Sequence, residues 1–143
     1  MNIRKAELKD IKEILEITKQ LHLNMADFVW DTENFITLQI ERGDYFVLED
    51  NEKIFGVISL KFRRNGMHIE TLAIREGFTS NGYGTELINF AKQFSKDRGA
   101  GALRVYSFSE YNILDFYSKN GFKLMDYHGS YDGHKYHCLE MKL

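Results

Sequence analysis

Met67-His68-Ile69-Glu70-Thr71-Leu72-Ala73-Ile74 runs into Arg75-Glu76-Gly77-Phe78-Thr79-Ser80-Asn81, and Gly82-Tyr83-Gly84-Thr85 then opens a helix. Leu87, Ile88, Ala91 and Phe94 mark one face of that helix, which ends near Arg98-Gly99. A strand feeding a glycine-rich turn at a helix N-terminus suits an anion. The first N–H groups of the helix have no intrahelical partner, and the helix dipole adds partial positive charge. Glycine lets the backbone approach a pyrophosphate with no Cβ in the way. Two nucleotide motifs are excluded. Gly77 and Gly82 have the spacing of a phosphate loop, but Tyr83 and Gly84 stand where Lys and Ser/Thr are needed. A dinucleotide fingerprint requires a third glycine where this chain has Leu87.

On the N-terminal side, Asn2–Ala6 reads as a first strand. Ile11, Ile14, Leu15, Ile17 and Leu21 then follow a helical spacing, with Asp10 as N-cap. Asp31–Phe35 signals a second helix, with Phe35, Ile36, Leu38 and Ile40 apolar and Gly43 at its stop. Asn24–Trp30 between them has no period and reads as a loop bordering a site. Tyr45–Leu48 and Ile54–Phe62 are strands joined by a turn at Asp50-Asn51-Glu52, and Arg64-Asn65-Gly66 carries an Asn-Gly turn signal into the quoted strand. On the C-terminal side, Ala102–Ser107 reads as a buried strand. Ile113–Lys119 is a short helix stopped by Gly121, and Phe122–Tyr127 and Tyr136–Lys142 are strands. The order βααβββαβαββ predicts a mixed α/β fold.

Length and composition bound the rest. With 143 residues, 43% hydrophobic and 28% charged, the chain suits one domain over 1–143 with a core of its own. The formal charge of -2, with no Lys/Arg run, argues against a nucleic-acid partner. No window is long and apolar enough for a membrane span. The charged start Met1–Glu7 does not read as a signal peptide, and Cys138 is the sole cysteine, which excludes an intrachain disulfide. These features predict a cytoplasmic location.

A second constellation lies in Asn112-Ile113-Leu114-Asp115-Phe116-Tyr117-Ser118-Lys119-Asn120-Gly121-Phe122. Here the chain resembles the GCN5-related N-acetyltransferase (GNAT) superfamily. Its first motif is a strand, Gln/Arg-x-x-Gly-x-Gly/Ala and a helix; its second is an Asn several residues before Phe-Tyr, then Gly-Phe. Thr79-Ser80-Asn81-Gly82-Tyr83-Gly84 matches the first apart from Thr79, which replaces Gln or Arg, and Glu76 stands where proline is common. Asn112–Phe122 matches the second. The element order agrees along essentially the whole chain. The resemblance implies the family's acyl-CoA N-acyltransferase fold: a mixed, mostly antiparallel central sheet that splays where acetyl-CoA enters, with helices on both faces. It implies an acetyl-CoA-dependent N-acetyltransferase whose cofactor lies along Leu72, Ala73 and Ile74, on Thr79, Ser80, Asn81, Gly82, Tyr83, Gly84 and Thr85, and against Asn112 and Tyr117. Asn112 either holds the cofactor or caps the short helix.

Acetyl transfer to an amine needs a deprotonated nucleophile, a stabilised oxyanion and a proton for the departing thiolate. Glu70 is the preferred base. His68 is the second candidate, because alternation places i and i+2 on one strand face. Tyr117, a phenol protonated at neutral pH, suits the donor to the thiolate, a role commonly given to its family counterpart. The resemblance implies an oxyanion contact from a backbone N–H near Leu72.

Other features read as structural. His68-x-Glu70 lacks the two later cysteines of a zinc deaminase. His134 and His137, three apart on a strand, face opposite sides, so no metal site is expected. Cys138 sits in an apolar–polar alternation and belongs to the core, which leaves direct transfer in a ternary complex. Trp30 either lines an acceptor pocket or packs as a core aromatic. The expected acceptor is a small primary amine, with a peptide or protein N-terminus second. A cofactor-binding module without turnover is the reading from another class, motivated by Thr79. Homodimers occur among look-alikes, but no residue here specifies one.

Overall fold

The meander anticipated between Tyr45 and Ile74 forms the middle of one seven-stranded sheet. The computed structural model describes residues 1–64 and 66–143; the Asn-Gly turn signal centres on Asn65, outside the described residues. The elements are β1 (Asn2–Lys5), α1 (Ile11–Thr18), α2 (Glu33–Glu41), β2 (Tyr45–Asp50), β3 (Lys53–Arg63), β4 (Gly66–Ile74), α3 (Tyr83–Asp97), β5 (Ala102–Phe108), α4 (Leu114–Lys119), β6 (Lys123–Tyr131) and β7 (His134–Lys142). Short 3-10 turns cover Leu8–Asp10, Lys19–Leu21 and Ser109–Tyr111. The strand order is β1-β2-β3-β4-β5-β7-β6, antiparallel throughout except for the parallel pair β4/β5.

Helices cover both faces. Leu87, Ile88 and Ala91 of α3 and Tyr117 of α4 share one core with Phe46, Ile58, Leu60, Ile69, Leu103 and Val105 of the sheet. Ile14 and Ile17 of α1 and Ile36 of α2 share the other with Tyr45, Val47, Val57 and Ala73. The expected mixed, mostly antiparallel architecture is the observed one.

Several boundaries differ from the sequence reading by a residue or more, and three differences have a clear cause. Asp10 precedes α1 but makes no side-chain cap to it. Its carboxylate instead closes the preceding 3-10 turn, accepting from the Glu7 N–H at 2.8 Å and from Arg4 Nη1 at 2.8 Å. β6 runs on to Tyr131 rather than stopping at Tyr127, because Met125, Asp126 and Tyr127 bulge out between the pairs Leu124↔Leu139 and His128↔His137 and break the alternation. β7 starts at His134, since Asp132 and Gly133 (φ 50° and 82°) form a two-residue hairpin turn. An Asp-Gly pair is itself a signal for such a turn.

One irregularity positions the site. Ser59 pairs with Thr71 and the next residue, Leu60, pairs with Ile69, so Glu70 is an extra residue on β4. A β-bulge of this kind bends the strand and increases its twist. It coincides with the end of the β4/β5 ladder, whose last pair is Ile69↔Val105. Beyond it β5 stays paired with β7 as far as Phe108↔Tyr136, while β4 follows β3. The sheet therefore parts between Glu70–Ile74 and Tyr106–Phe108.

Candidate active site

The parting of β4 from β5 opens a cleft of about 260 Å³. Glu70, Thr71 and Leu72 line one wall, and Tyr106, Ser107 and Phe108 the other. Tyr117, Ile113 and Leu21 also line it, and Trp30, Tyr131 and Tyr136 gather round Phe108. The backbone along the β4 wall follows from strand alternation. The Arg75 N–H donates to the Phe55 carbonyl of β3 at 2.7 Å. The N–H groups of Leu72 and Ile74 must then point the other way, into the gap. Gln20 Nε2 already donates to the Ile74 carbonyl there, at 2.5 Å. Ala73 does not share this edge. It pairs with Val57, and its side chain is buried under α1 and α2, so of the three β4 residues assigned to the cofactor only Leu72 and Ile74 face the opening.

Past β4 the turn leads to α3. Thr79, Ser80, Asn81, Gly82 and Thr85 are exposed. Gly82, with φ 81°, precedes the helix, and nothing lies within 4 Å of where its Cβ would be. The first intrahelical bond at this end is Glu86 N–H to the Gly82 carbonyl at 3.1 Å, which leaves the N–H groups of Tyr83, Gly84 and Thr85 for an anion. Tyr83 contributes backbone only, since its ring stacks on Phe55 at 5.2 Å. Gly84 has a reason beyond phosphate approach. It is buried, and an added Cβ would lie 2.9 Å from the Phe116 ring. The two halves of the signature thus touch each other.

His68 precedes the bulge and Glu70 is the bulged residue itself, and of the two only Glu70 lines the cleft. Arg63 Nη2 holds its carboxylate at 2.6 Å. His68 is buried against Tyr106, with ring centroids 5.5 Å apart. Burial, and then the charges of Arg63 and Arg104, bring its imidazole down to about 4. Tyr117 is buried and lines the cleft. Burial, and then the neighbouring Tyr111, push its phenol above the usual tyrosine range, so it stays protonated. Asn112 lies outside the cleft lining. It adopts a left-handed conformation (φ 51°) at the end of the 3-10 turn Ser109–Tyr111, while Ile113 takes the N-cap place of α4, so the capping alternative fails.

Trp30 satisfies both sequence alternatives at once: it lines the cleft and makes edge contacts with Phe28, Phe35, Phe108 and Tyr131. Cys138 is buried in β7. Among the described residues no group of three His, Cys, Asp or Glu side chains is placed to hold a metal. No described helix is long and apolar enough to cross a membrane.

A splayed mixed sheet, an open strand edge and an anion-ready helix start in sequence define a class of acyl-CoA-handling folds. The model of the acetyltransferase (GNAT) family matches residues 9–122, and the chain belongs to that family. Its structure is similar to Ard1 from Thermoplasma volcanium (TM-score 0.85, 17% identity, covering 99% of this chain and 97% of that one). It is also similar to the PaiA N-acetyltransferase of Thermoplasma acidophilum, solved with coenzyme A (TM-score 0.72, 20% identity, covering 99% and 98%). A third likeness is to the ribosomal-protein-S18-alanine N-acetyltransferase of Escherichia coli (TM-score 0.75, 19% identity, covering 99% and 92%). At these identities the likeness establishes the fold. No curated protein matches this sequence. Acetyl-CoA is the acetyl donor of the family, and the open Leu72/Ile74 edge and the free amides of Tyr83–Thr85 fit its amide-bearing arm and pyrophosphate.

Proposed function

We propose that this protein acetylates the primary amine of a small molecule by direct transfer within a ternary complex. The observation that carries the proposal is the divergence of β4 from β5 at Glu70, which gathers a carboxylate, an open strand edge and a buried phenol round one cleft. The Leu72 carbonyl and the Ile74 N–H would pair with the pantetheine arm, and the turn Thr79–Thr85 would hold the pyrophosphate. Bound acetyl-CoA supplies a thioester carbonyl open to a neutral amine, with coenzyme A leaving as its thiolate.

The residues divide the remaining work. An alkylammonium has a pKa near ~10, so its proton must be removed before the nitrogen can attack. Glu70 is placed to take it, directly or through a water, and Arg63 fixes the carboxylate's direction. His68 lies outside the cleft lining and is assigned no such contact. The Leu72 N–H, aimed into the gap, donates to the oxyanion as it develops. Tyr117, which lines the cleft and stays protonated, returns a proton to the departing sulfur. The buried Cys138 supports transfer without an acetyl-enzyme.

The test is thiol release with a panel of amines, with Tyr117→Phe alongside the wild type. The proposal expects kcat to fall about 10- to 100-fold in the variant, with acetyl-CoA affinity held within a factor of about two. Cofactor binding without thiol release for any amine would instead identify a binding module. An unchanged kcat in Tyr117→Phe would remove Tyr117 as the acid.

A further inference from the structure

The acceptor end of the cleft is built almost wholly of rings. Trp30 and Phe108 meet with centroids 6.0 Å apart, Trp30 and Tyr131 at 5.9 Å, and Phe108 and Tyr136 at 6.3 Å. The hydroxyls of two cleft tyrosines are turned to the protein. Tyr111 donates to the Leu21 carbonyl at 2.6 Å, and Tyr131 to the Asp27 carbonyl at 3.4 Å. What these residues offer a ligand is ring surface. Among the described residues lining the cleft, Glu70 is the sole charged side chain.

A loop also crosses beside this end. The loop between Leu21 and Glu33 is tied across to the β6–β7 hairpin by the Ala26 N–H on Asp132 Oδ2 at 3.1 Å, by Tyr131 on Asp27, and by His134 Nε2 with the Asn24 carbonyl at 3.3 Å. His134 Nδ1 bonds Glu110 on the other side. An extended peptide needs backbone partners for the residues behind its N-terminus, and what the lining offers at this end is chiefly ring surface. A polyamine needs a second anionic site for its distal ammonium, and the lining holds one carboxylate. A single ammonium with an apolar body needs neither. Its charge lies at Glu70 and over aromatic faces, which attract cations, and its body fills the ring cage.

We propose that the acceptor is a small monoamine with an aryl or comparably bulky apolar body, and that Trp30, Phe108 and Tyr131 select it. This rests on the acetyltransferase reading above. Glu70 takes one proton from the ammonium before attack. The N–C bond then forms and the C–S bond breaks, and Tyr117 protonates the departing thiolate. The second proton lost by the nitrogen passes through water to restore Tyr117, while Glu70 releases its proton to solvent.

The experiment compares 2-phenylethylamine with ethylamine, spermidine and a Met-initiated hexapeptide by thiol release at saturating acetyl-CoA. Calorimetric titration of 2-phenylethylamine into the coenzyme A complex supplies a readout without turnover. Expected is a kcat/KM for 2-phenylethylamine about 100-fold above ethylamine and spermidine, the scale set by one well-fitted apolar group. Trp30→Ala should raise its KM about 10-fold or more while leaving the acetyl-CoA Kd unchanged. Trp30→Phe should recover most of the loss. Preference for spermidine or the peptide, or equal effects of Trp30→Ala on all amines, would overturn the assignment of substrate class while leaving acetyl transfer standing. Tight acetyl-CoA binding with no amine acetylated would sink the acetyltransferase reading, and the substrate proposal with it.

Discussion

Gly84 tests whether the two signature motifs are one packed unit. At most positions near a helix start, Gly→Ala stabilises by up to ~1 kcal/mol, because alanine loses less backbone entropy. Here the new methyl would sit 2.9 Å from the Cε1 and Cζ atoms of Phe116, closer than carbon atoms approach without repulsion. Overpacking of this kind costs ~1–3 kcal/mol. Phe116 is itself held in edge contact with Tyr117 at 5.2 Å between centroids, so its retreat would shift the proposed acid. Gly84→Ala should therefore lose about 1 kcal/mol in urea unfolding, where propensity alone expects a gain. Phe116→Leu removes the ring edge, and in that background the same alanine should become neutral or stabilising. The double-mutant cycle should show a coupling of about 1–2 kcal/mol. A stabilising Gly84→Ala in the wild-type background, with no coupling to Phe116, would refute the packing argument and return the glycine to a purely cofactor-related role.

Asn81→Asp adds an exposed negative charge just ahead of α3, where the helix dipole favours it, so stability should hold or rise slightly. The same charge repels a pyrophosphate by about 1–2 kcal/mol at roughly 6 Å, so the KM for acetyl-CoA should rise about 10-fold at low salt and less at high salt; an unchanged KM would count against the turn as the phosphate site. Asp10 links to acid stability. Burial raises its pKa, but the hydrogen bonds from Arg4 and the Glu7 N–H outweigh this and hold it below the usual carboxylate range. Its contribution is present above the unfolded value near ~3.9 and is lost as pH falls through the folded one. Asp10→Asn should destabilise by about 2 kcal/mol at pH 7 and flatten the acid limb of the stability profile; an unaltered limb would contradict this. His134 titrates in the opposite sense. Its hydrogen bond to Glu110 raises its pKa above the ordinary value, so the tie to the Asn24 loop is complete below about 6.5 and is lost as pH rises through the folded pKa. Hydrogen exchange at Asn24–Trp30, corrected for intrinsic pH dependence, should accelerate as pH rises above the ordinary imidazole value near ~6.5 in the wild type and not in His134→Asn; matching profiles would rule the clasp out.

The local pattern of residues determined the identity and order of all eleven helices and strands. Each depends on interactions close in sequence: the 3.6-residue spacing of Ile11–Ile17, the apolar runs of β2 and β3, and the glycines and asparagines at positive φ between elements. The anion-ready start of α3 was legible for the same reason, since free N–H groups belong to any helix N-terminus. Tertiary structure decided what those elements make together. Nothing near Glu70 signals a bulge, because the extra residue exists only relative to the register of β3. The gap beyond Ile69 exists only because β5 keeps its pairing with β7. Ala73 faces the wrong core for a cofactor contact once the bulge has reversed the alternation. His68 and Glu70 were equivalent by period, and burial beside Arg63, Arg104 and Tyr106 separated them. The ring cage joins Trp30, Phe108 and Tyr131 from a loop and two strands far apart in the chain. Such sites depend on long-range register and on which faces meet, and these are properties of the folded packing rather than of any one segment.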